Sequence, residues 1–174
     1  MNIPILETAR LTLREPRLED FERYAALGTD PEFMRFMTDG AIRNEEESWS
    51  GLLRMAGSWL IVGFGTWVVV EKSSGHYAGI VSFIERRRDR GAELRGVPEM
   101  GWAIDPALAG RGYATEAVGA AIAWGQQHFG SVRVIALIND ENFASIRVAE
   151  KCGFREFKRD LSAGRPRIYF DRVL

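Results

Sequence analysis

Residues 109–117 read AGRGYATEA, so that Gly110 and Gly112 stand directly before an alanine-rich stretch with helical periodicity. A glycine turn that runs into a helix presents unpaired backbone N–H groups and the positive end of the helix dipole. These two features together bind phosphate groups. Because Gly112 has no Cβ atom, a phosphate can approach its backbone closely. The segment therefore predicts a phosphate-binding loop at the start of a helix over residues 112–129.

Two other interpretations of this loop remain open at this point. One is an ordinary glycine turn without a ligand, and the other is a dinucleotide-binding loop, which Asp140 downstream would favour. The dinucleotide pattern fits poorly, because Thr115 occupies its third glycine position and five residues separate Ile104 from Gly110. In that fingerprint the glycines follow their strand directly. The sequence of the loop therefore favours a phosphate-containing ligand other than a dinucleotide.

Hydrophobic periodicity divides the rest of the chain into strands and helices. Strand patterns occupy residues 10–15, 66–71, 78–84, 99–104, 133–138, 154–158 and 167–173. Helical patterns occupy residues 18–27, 31–36, 45–56, 112–129 and 141–152. Turns at residues 73–75 and 162–164 join two of the strand pairs. This order predicts an α/β fold with a mixed sheet in one domain spanning residues 1–174.

The composition is that of an ordinary globular protein whose net charge is close to zero. The 174 residues carry 23 basic and 24 acidic side chains, which argues against nucleic acid or an anionic membrane as partner. The longest apolar run, residues 59–70, is interrupted by glycines and is shorter than the about 20 residues of a membrane helix. The start of the chain lacks an apolar signal core, and Cys152 is the single cysteine. We expect a soluble cytoplasmic protein.

Four segments in a fixed order resemble a known family. They are LETARLTLR at residues 6–14, EMGWAIDP at 99–106, the loop at 109–117, and NFAS with EKCGF between 142 and 154. Together they are similar to the Gcn5-related N-acetyltransferases (GNAT), most closely to the branch with the ribosomal-protein alanine N-acetyltransferases. The resemblance covers nearly the whole chain. It implies a single-domain GNAT fold whose mixed, mostly antiparallel sheet splays at the cofactor site and is flanked by helices.

The resemblance also implies acetyl-coenzyme A (acetyl-CoA) as cosubstrate and no metal. Amides from Arg111 to Thr115 would cradle its pyrophosphate. The pantetheine arm would pair with the strand that ends at Ile104, where the amides of Ala103 and Ile104 would polarise the thioester carbonyl. Asn142 is a helix N-cap candidate that would also touch the arm. The expected cofactor-binding residues are Ala103, Ile104, Arg111, Gly112, Tyr113, Ala114, Thr115 and Asn142.

Acetyl transfer to an amine requires a proton acceptor. An amine of pKa ~8 to ~10 is mostly protonated at neutral pH, so a carboxylate or histidine must remove its proton. Glu99 matches the acidic residue that this branch places beside the acceptor, and its alternative is a solvated carboxylate at a strand start. We expect neither His76 nor His128 in the site, since His128 lies near a helix C-terminus and His76 in a turn.

The departing thiolate benefits from a proton donor. Many family members use a tyrosine near the end of the last helix, and Ala149 occupies that position here. The branch suggests Ser145 instead, whose alternative is a helical serine bonded to a carbonyl one turn back. Cys152 lacks an adjacent base and is expected to be structural. The basic run at residues 86–90 is a solvated loop beside the acceptor, or a surface that attracts an acidic acceptor.

These observations predict an acetyl-CoA-dependent N-acetyltransferase that acts directly on a primary amine, with Glu99 as base and Ser145 as acid. The acceptor is a protein N-terminus or a small-molecule amine. A non-catalytic acyl-CoA-binding module is the alternative, because of Ala149. The acceptor loops around residues 33–38 and 86–95 carry no recognisable code. The chain is expected to be a monomer or a homodimer, with neither nucleic acid nor membrane as a partner.

Overall fold

The computed structural model describes residues 3–37, 40–87, 92–162 and 164–174. Its strands are β1 Leu6–Glu7, β2 Leu11–Arg14, β3 Thr66–Glu71, β4 Tyr77–Ile84, β5 Glu99–Ile104, β6 Arg133–Asn139, β7 Arg155–Ser162 and β8 Arg165–Val173. Its helices are α1 Phe21–Gly28, α2 Pro31–Met34, α3 Glu45–Val62, α4 Tyr113–Phe129 and α5 Phe143–Lys151. No helix within these described ranges is both long and apolar enough to cross a membrane.

All the strands belong to one sheet with the order β1-β2-β3-β4-β5-β6-β8-β7. Neighbouring strands are antiparallel except β5 and β6, which are parallel. The register of β5 with β4 contains six residue pairs, whereas β5 and β6 share only the pair Glu99 and Ile135. The two parallel strands therefore diverge after Glu99, and the predicted mixed, mostly antiparallel, splayed α/β sheet is confirmed.

Helices cover both faces of the sheet. On one face α4 packs its buried residues Ala117, Val118 and Ala121 into the main core, which also contains Met100. On the other face Ala103 lies against the cluster of Leu27, Phe33 and Met34 from α1 and α2. Alternate residues of β5 therefore face opposite helical layers, as the period of a strand requires.

Helix α3 is longer than the sequence pattern predicts. The helical pattern stops near residue 56, because Gly57 and Ser58 interrupt the apolar stripe. In the structure the helix continues to Val62 and ends at Gly63, whose left-handed φ of 80° suits glycine. The last turn is held by Trp59, which is 2% exposed and packs edge-on against Trp67 at a centroid distance of 4.6 Å. Tertiary packing therefore outweighs the local helix-breaking residues.

Other predicted boundaries shift by a few residues. Helix α2 ends at Met34 rather than at residue 36, and residues 18–20 form a 3₁₀ turn before α1. Strands β7 and β8 extend to Ser162 and from Arg165, so the hairpin is longer than predicted. Ala163 of the predicted turn lies outside the described residues.

Candidate active site

The divergence of β5 and β6 opens a cleft of about 680 Å³ that passes through the sheet. One end, which we call the loop side, is lined by residues 108–110 and 112–115 and by residues at and after the start of α5. The other end, which we call the α2 side, is lined by residues near α2 and by parts of several strands. The α2-side residues include Phe33, Arg35, Phe36, Arg86, Glu99 and Arg167. Every predicted site residue except Arg111 lines this cleft.

On the loop side, the predicted glycine turn leads into α4. Gly110 and Gly112 have φ values of 78° and 80°, a conformation that glycine adopts without strain. Helix α4 begins at Tyr113, and no side-chain cap satisfies its first turn within residues 109–117, all of which are described. Gly112, Tyr113, Ala114 and Thr115 line the cleft. The helix start therefore presents amides and positive dipole charge to this end of the cleft.

Arg111 points away from the cleft. Its Nη1 atom lies 3.6 Å from Oε1 of Glu71, and its carbonyl accepts a hydrogen bond from Arg10. Glu71 in turn accepts hydrogen bonds from Ser74 and Tyr113. The pKa of Glu71 is lowered, first by the Ser74 hydrogen bond and then by that of Tyr113, against the opposing effect of burial. Arg111 therefore supports the outer side of the loop rather than lining its inner side.

The open edge of β5 exposes backbone groups in an alternating pattern. The amide of Asp105 donates to Ala78 of β4 over 2.9 Å, whereas the carbonyl of Pro98 accepts from Ile135 of β6 over 3.1 Å. Because backbone groups alternate along a strand, those of Ile104 face the gap and those of Ala103 face β4. Ala103 also places its carbonyl oxygen close to Gly79 of β4. Of the two predicted oxyanion donors, the geometry therefore directs the Ile104 amide into the gap.

Glu99 lies at the point where β5 and β6 are still paired, at the closed end of the gap between them. It is 9% exposed, it forms the single register pair between β5 and β6, and it lines the cleft. Nε of Arg86 lies 3.9 Å from its Oε1 atom. Glu99 shares the strand face of Ala103, which packs toward α2. Its carboxylate is therefore on the α2 side, close to the passage through the sheet.

The start of α5 closes the loop side of the cleft. Asn142 is the N-cap of this helix, as predicted, and its Oδ1 accepts from the Ser145 amide over 3.1 Å. Asn142 and Ser145 both line the cleft. Ala149, at the family's tyrosine position, is instead fully buried in the core. Cys152 is buried with its Sγ 3.8 Å from the Thr115 carbonyl, and burial raises the pKa of its thiol.

The α2 side contains three residues of the acceptor loop expected around residues 33–38, and one residue that sequence analysis did not single out. Phe33 and Phe36 supply apolar surface and Arg35 supplies positive charge, while Arg167, the residue that was missed, supplies a second positive charge. Arg167 is only 7% exposed and shares the strand face of Tyr169. The alternation of β8 is the one signal that could have placed an arginine on the inner face.

The predicted basic run is only partly described. Arg86 lines the cleft, whereas Arg87 is exposed and pairs with Glu85 over 2.6 Å. Residues 88–91, and Thr38 with Asp39 of the other acceptor loop, lie outside the described residues. Within the described part of the chain, no group of three or more histidine, cysteine, aspartate or glutamate side chains could hold a metal ion.

Comparison with known proteins places this architecture in a family. A family model of the acetyltransferase (GNAT) domain matches residues 10–155. The chain belongs to this family. It is therefore an N-acetyltransferase by family, and GNAT enzymes use acetyl-CoA as cosubstrate. Membership favours acetyl-CoA over a dinucleotide as the ligand of the glycine loop.

Three similar proteins illustrate the range of the family. A GnaT-family acetyltransferase of Bordetella pertussis is 30% identical with a TM-score of 0.85, covering 98% of this chain and 99% of that one. The FsC-acetyl coenzyme A-N(2)-transacetylase of Aspergillus fumigatus is 29% identical over 155 residues, covering 86% of this chain and 64% of the fungal protein. A ribosomal L7/L12 α-N-protein acetyltransferase in complex with coenzyme A shares the fold, with a TM-score of 0.78 at 14% identity and 98% coverage of both chains.

Proposed function

We propose that this GNAT protein transfers the acetyl group of acetyl-CoA directly to a primary amine, either a protein N-terminus or a small-molecule amine. The observation behind this proposal is the passage through the sheet. A phosphate-type loop lies at one end of the passage, and the carboxylate of Glu99 lies on the other side. Two substrates that enter from opposite ends would meet at the divergence of β5 and β6.

On the loop side, the amides of residues 112–115 suit the pyrophosphate of acetyl-CoA. When bound, this cosubstrate supplies an activated acetyl thioester. The open edge of β5 offers the backbone of Ile104 to the pantetheine arm, and Asn142 borders the same space. The Ile104 amide is oriented to stabilise negative charge on the thioester oxygen during transfer.

On the α2 side, Glu99 is the base of the proposed reaction. The amine nitrogen attacks the carbonyl carbon, and the carboxylate of Glu99 takes the proton that the nitrogen loses. The guanidinium of Arg86, whose Nε lies 3.9 Å away, places a positive charge beside this carboxylate. The carbon–sulfur bond breaks, and the hydroxyl of Ser145 gives a proton to the departing sulfur. Proton exchange with water then returns Glu99 and Ser145 to their starting forms.

We also propose that the protein acts in the cytoplasm, which is a reducing compartment. Cys152 is the single cysteine of the sequence, and it is buried beside α4. Neither acetyl transfer nor the fold requires it to be oxidised.

An acceptor screen tests the proposal. We expect free thiol to be released from acetyl-CoA when one class of amine is added, from N-terminal peptides, polyamines, amino acids and aminoglycosides. In the same screen the Glu99→Gln variant should lose most of the thiol release. Glu156→Gln is its matched control, because Glu156 pairs with Arg159 on the exposed strand β7. Binding of acetyl-CoA without thiol release for every amine would support a non-catalytic acyl-CoA-binding module and contradict the proposal.

A further inference from the structure

Arg10 joins the N-terminal hairpin to the outer side of the glycine loop. Its Nη1 donates to the carbonyl of Arg111 over 2.8 Å, and its guanidinium lies over the ring of Tyr113 at 4.8 Å. A Cβ atom on Gly112 would lie 3.4 Å from its Nη2. Arg10 therefore contacts three consecutive residues of the loop and the helix start.

Glu116 holds Arg10 in this position. Its Oε2 accepts from Nε of Arg10 over 2.7 Å and lies 2.6 Å from Nη2. Its Oε1 accepts from the backbone amide of Arg10 over 2.9 Å and from the hydroxyl of Thr8 over 2.6 Å. The Glu116 side chain is 17% exposed, so these bonds are partly shielded from water. A paired contact of this kind fixes both the position and the plane of a guanidinium.

The hydrogen bond to Arg111 has a geometric consequence for the next amide. The described peptide bonds are all trans, and in a trans peptide the C=O and N–H groups point in opposite directions. The carbonyl of Arg111 points toward Arg10, so the amide of Gly112 points away from Arg10. Gly112 lines the cleft, whereas Arg111 does not.

We propose that Arg10, held by Glu116, is a positioning residue that turns the Arg111–Gly112 peptide so that the Gly112 amide donates into the phosphate site. This inference rests on the proposed function, because it assigns the phosphates of coenzyme A to the loop. Arg10 acts through the peptide and not through its own charge. Without its hydrogen bond, the peptide is free to rotate and to present its carbonyl oxygen to the phosphate, which repels it.

Glu116→Gln separates positioning from direct charge attraction. If Arg10 attracted the phosphates by charge, loss of the neighbouring negative charge would strengthen coenzyme A binding. If Arg10 positions the peptide, a weaker hold on its guanidinium weakens binding. Arg10→Lys gives a second comparison, since it keeps the charge but loses the paired contacts with Glu116.

The experiment measures the dissociation constants of coenzyme A by calorimetry and of pantetheine, which lacks the phosphates, by ligand-observed NMR. We expect Glu116→Gln and Arg10→Lys to raise the constant for coenzyme A about three- to tenfold, the effect of one lost hydrogen bond. Pantetheine binding stays unchanged. With an accepted amine, KM for acetyl-CoA rises and kcat stays the same. Glu7→Gln is the matched control, because Glu7 lies on the same β1–β2 hairpin as Arg10, pairs with Lys72 after β3 and does not line the cleft.

Different failures of this experiment have different meanings. Unchanged or tighter coenzyme A binding in Glu116→Gln overturns the positioning inference alone. An equal loss of pantetheine affinity also overturns it, because a general structural defect would affect both ligands. Melting temperatures of all variants identify such a defect independently. A wild-type protein that does not bind coenzyme A overturns the proposed function, and the inference with it.

Discussion

The two ends of the cleft are built in different ways. The loop side consists of residues 108–110 and 112–115, which follow one another along the chain with only Arg111 turned away, together with the start of α5. The α2 side is assembled from the end of β4, the start of β5, Arg167 near the start of β8 and residues near α2. The loop side offers mainly backbone groups, whereas the α2 side offers side chains such as Phe33, Arg35 and Arg167. A site built from the backbone of one segment is determined by the sequence of that segment. A site built from side chains of several elements depends on the whole fold.

This difference matches the expected functions of the two ends, which are cosubstrate binding on the loop side and acceptor binding on the α2 side. The cosubstrate is common to the family, and a glycine turn before a helix is sufficient to bind its phosphates. The acceptor differs among proteins of this fold, because the names of the Aspergillus relative and of the ribosomal L7/L12 acetyltransferase refer to different acceptors. Side chains from separate elements can change independently without loss of the loop. Variants on the two sides are therefore expected to affect different steps.

Glu99→Gln has the largest expected effect, and it tests the α2 side. Glutamine keeps the size of the side chain but cannot accept a proton, and loss of a general base typically costs about 10²–10⁴-fold. We expect kcat to fall by this factor while the affinity for coenzyme A stays nearly the same. The defect shrinks as pH rises, because more amine is already deprotonated. A defect of equal size at every pH would mean that Glu99 is not the base.

Gly112→Ala has a smaller expected effect, and it tests the loop side. Alanine at a φ of 80° strains the loop, while its Cβ would only come into contact with Nη2 of Arg10 at 3.4 Å. We expect coenzyme A binding to weaken about tenfold, or ~1.4 kcal/mol, in a calorimetric titration.

Gly63→Ala is the matched control for this change. Gly63 ends α3 with φ 80° and ψ 1°, close to the 80° and 6° of Gly112, and a Cβ there would meet no atom within 4 Å. Both variants therefore lose stability for the same backbone reason, about 1 kcal/mol each. If Gly63→Ala weakened coenzyme A binding as much as Gly112→Ala, the effect would be one of general stability and not of the loop.

The smallest expected effect concerns the pH dependence of stability on the loop side. Burial raises the pKa of Glu116, but hydrogen bonds from Thr8 and Arg10 outweigh it, and the pKa is lowered overall. A carboxyl whose folded-state pKa is lowered stabilises the protein above its unfolded pKa, and this contribution is lost as pH falls through the folded value. We expect Glu116→Gln to reduce the loss of stability that wild-type protein shows in urea titrations below about pH 4.5. Identical pH dependence in both proteins would contradict this assignment.

The sequence predicted the bounds of an element correctly where its local pattern and its packing in the folded chain favour the same bounds. Strands β3 and β5 have their predicted bounds, because both alternate or run apolar between clear turns. Helix α3 was predicted too short, since the contact of Trp59 with Trp67 is a property of the folded chain. Propensity favours an end at Gly57, and burial of an aromatic side chain of this size outweighs it.

In the candidate site, too, the features that depend on tertiary structure could not be predicted from the sequence. The residues of the glycine loop could be located from sequence because their positions follow one another along the chain. The choice between the Ala103 and Ile104 amides required the order of the strands, which decides the edge that each amide faces. The alternation of β8 could place Arg167 on the inner face of the sheet, but not at the cleft, because its approach to the cleft depends on β8 pairing with β6. The roles of the predicted site residues stay predictions until variants are measured.

The proposed function requires coenzyme A to lie across the gap between β5 and β6 with its phosphates on the glycine loop. An amide NMR titration with coenzyme A tests this claim most directly. We predict large shifts for the amides of Gly112, Tyr113, Ala114 and Ile104, and small shifts for Gly63 and for β7. Pantetheine would shift Ile104 without shifting Gly112. If coenzyme A bound and shifted other amides while those of Gly112 and Ile104 stayed unchanged, this binding mode would be wrong.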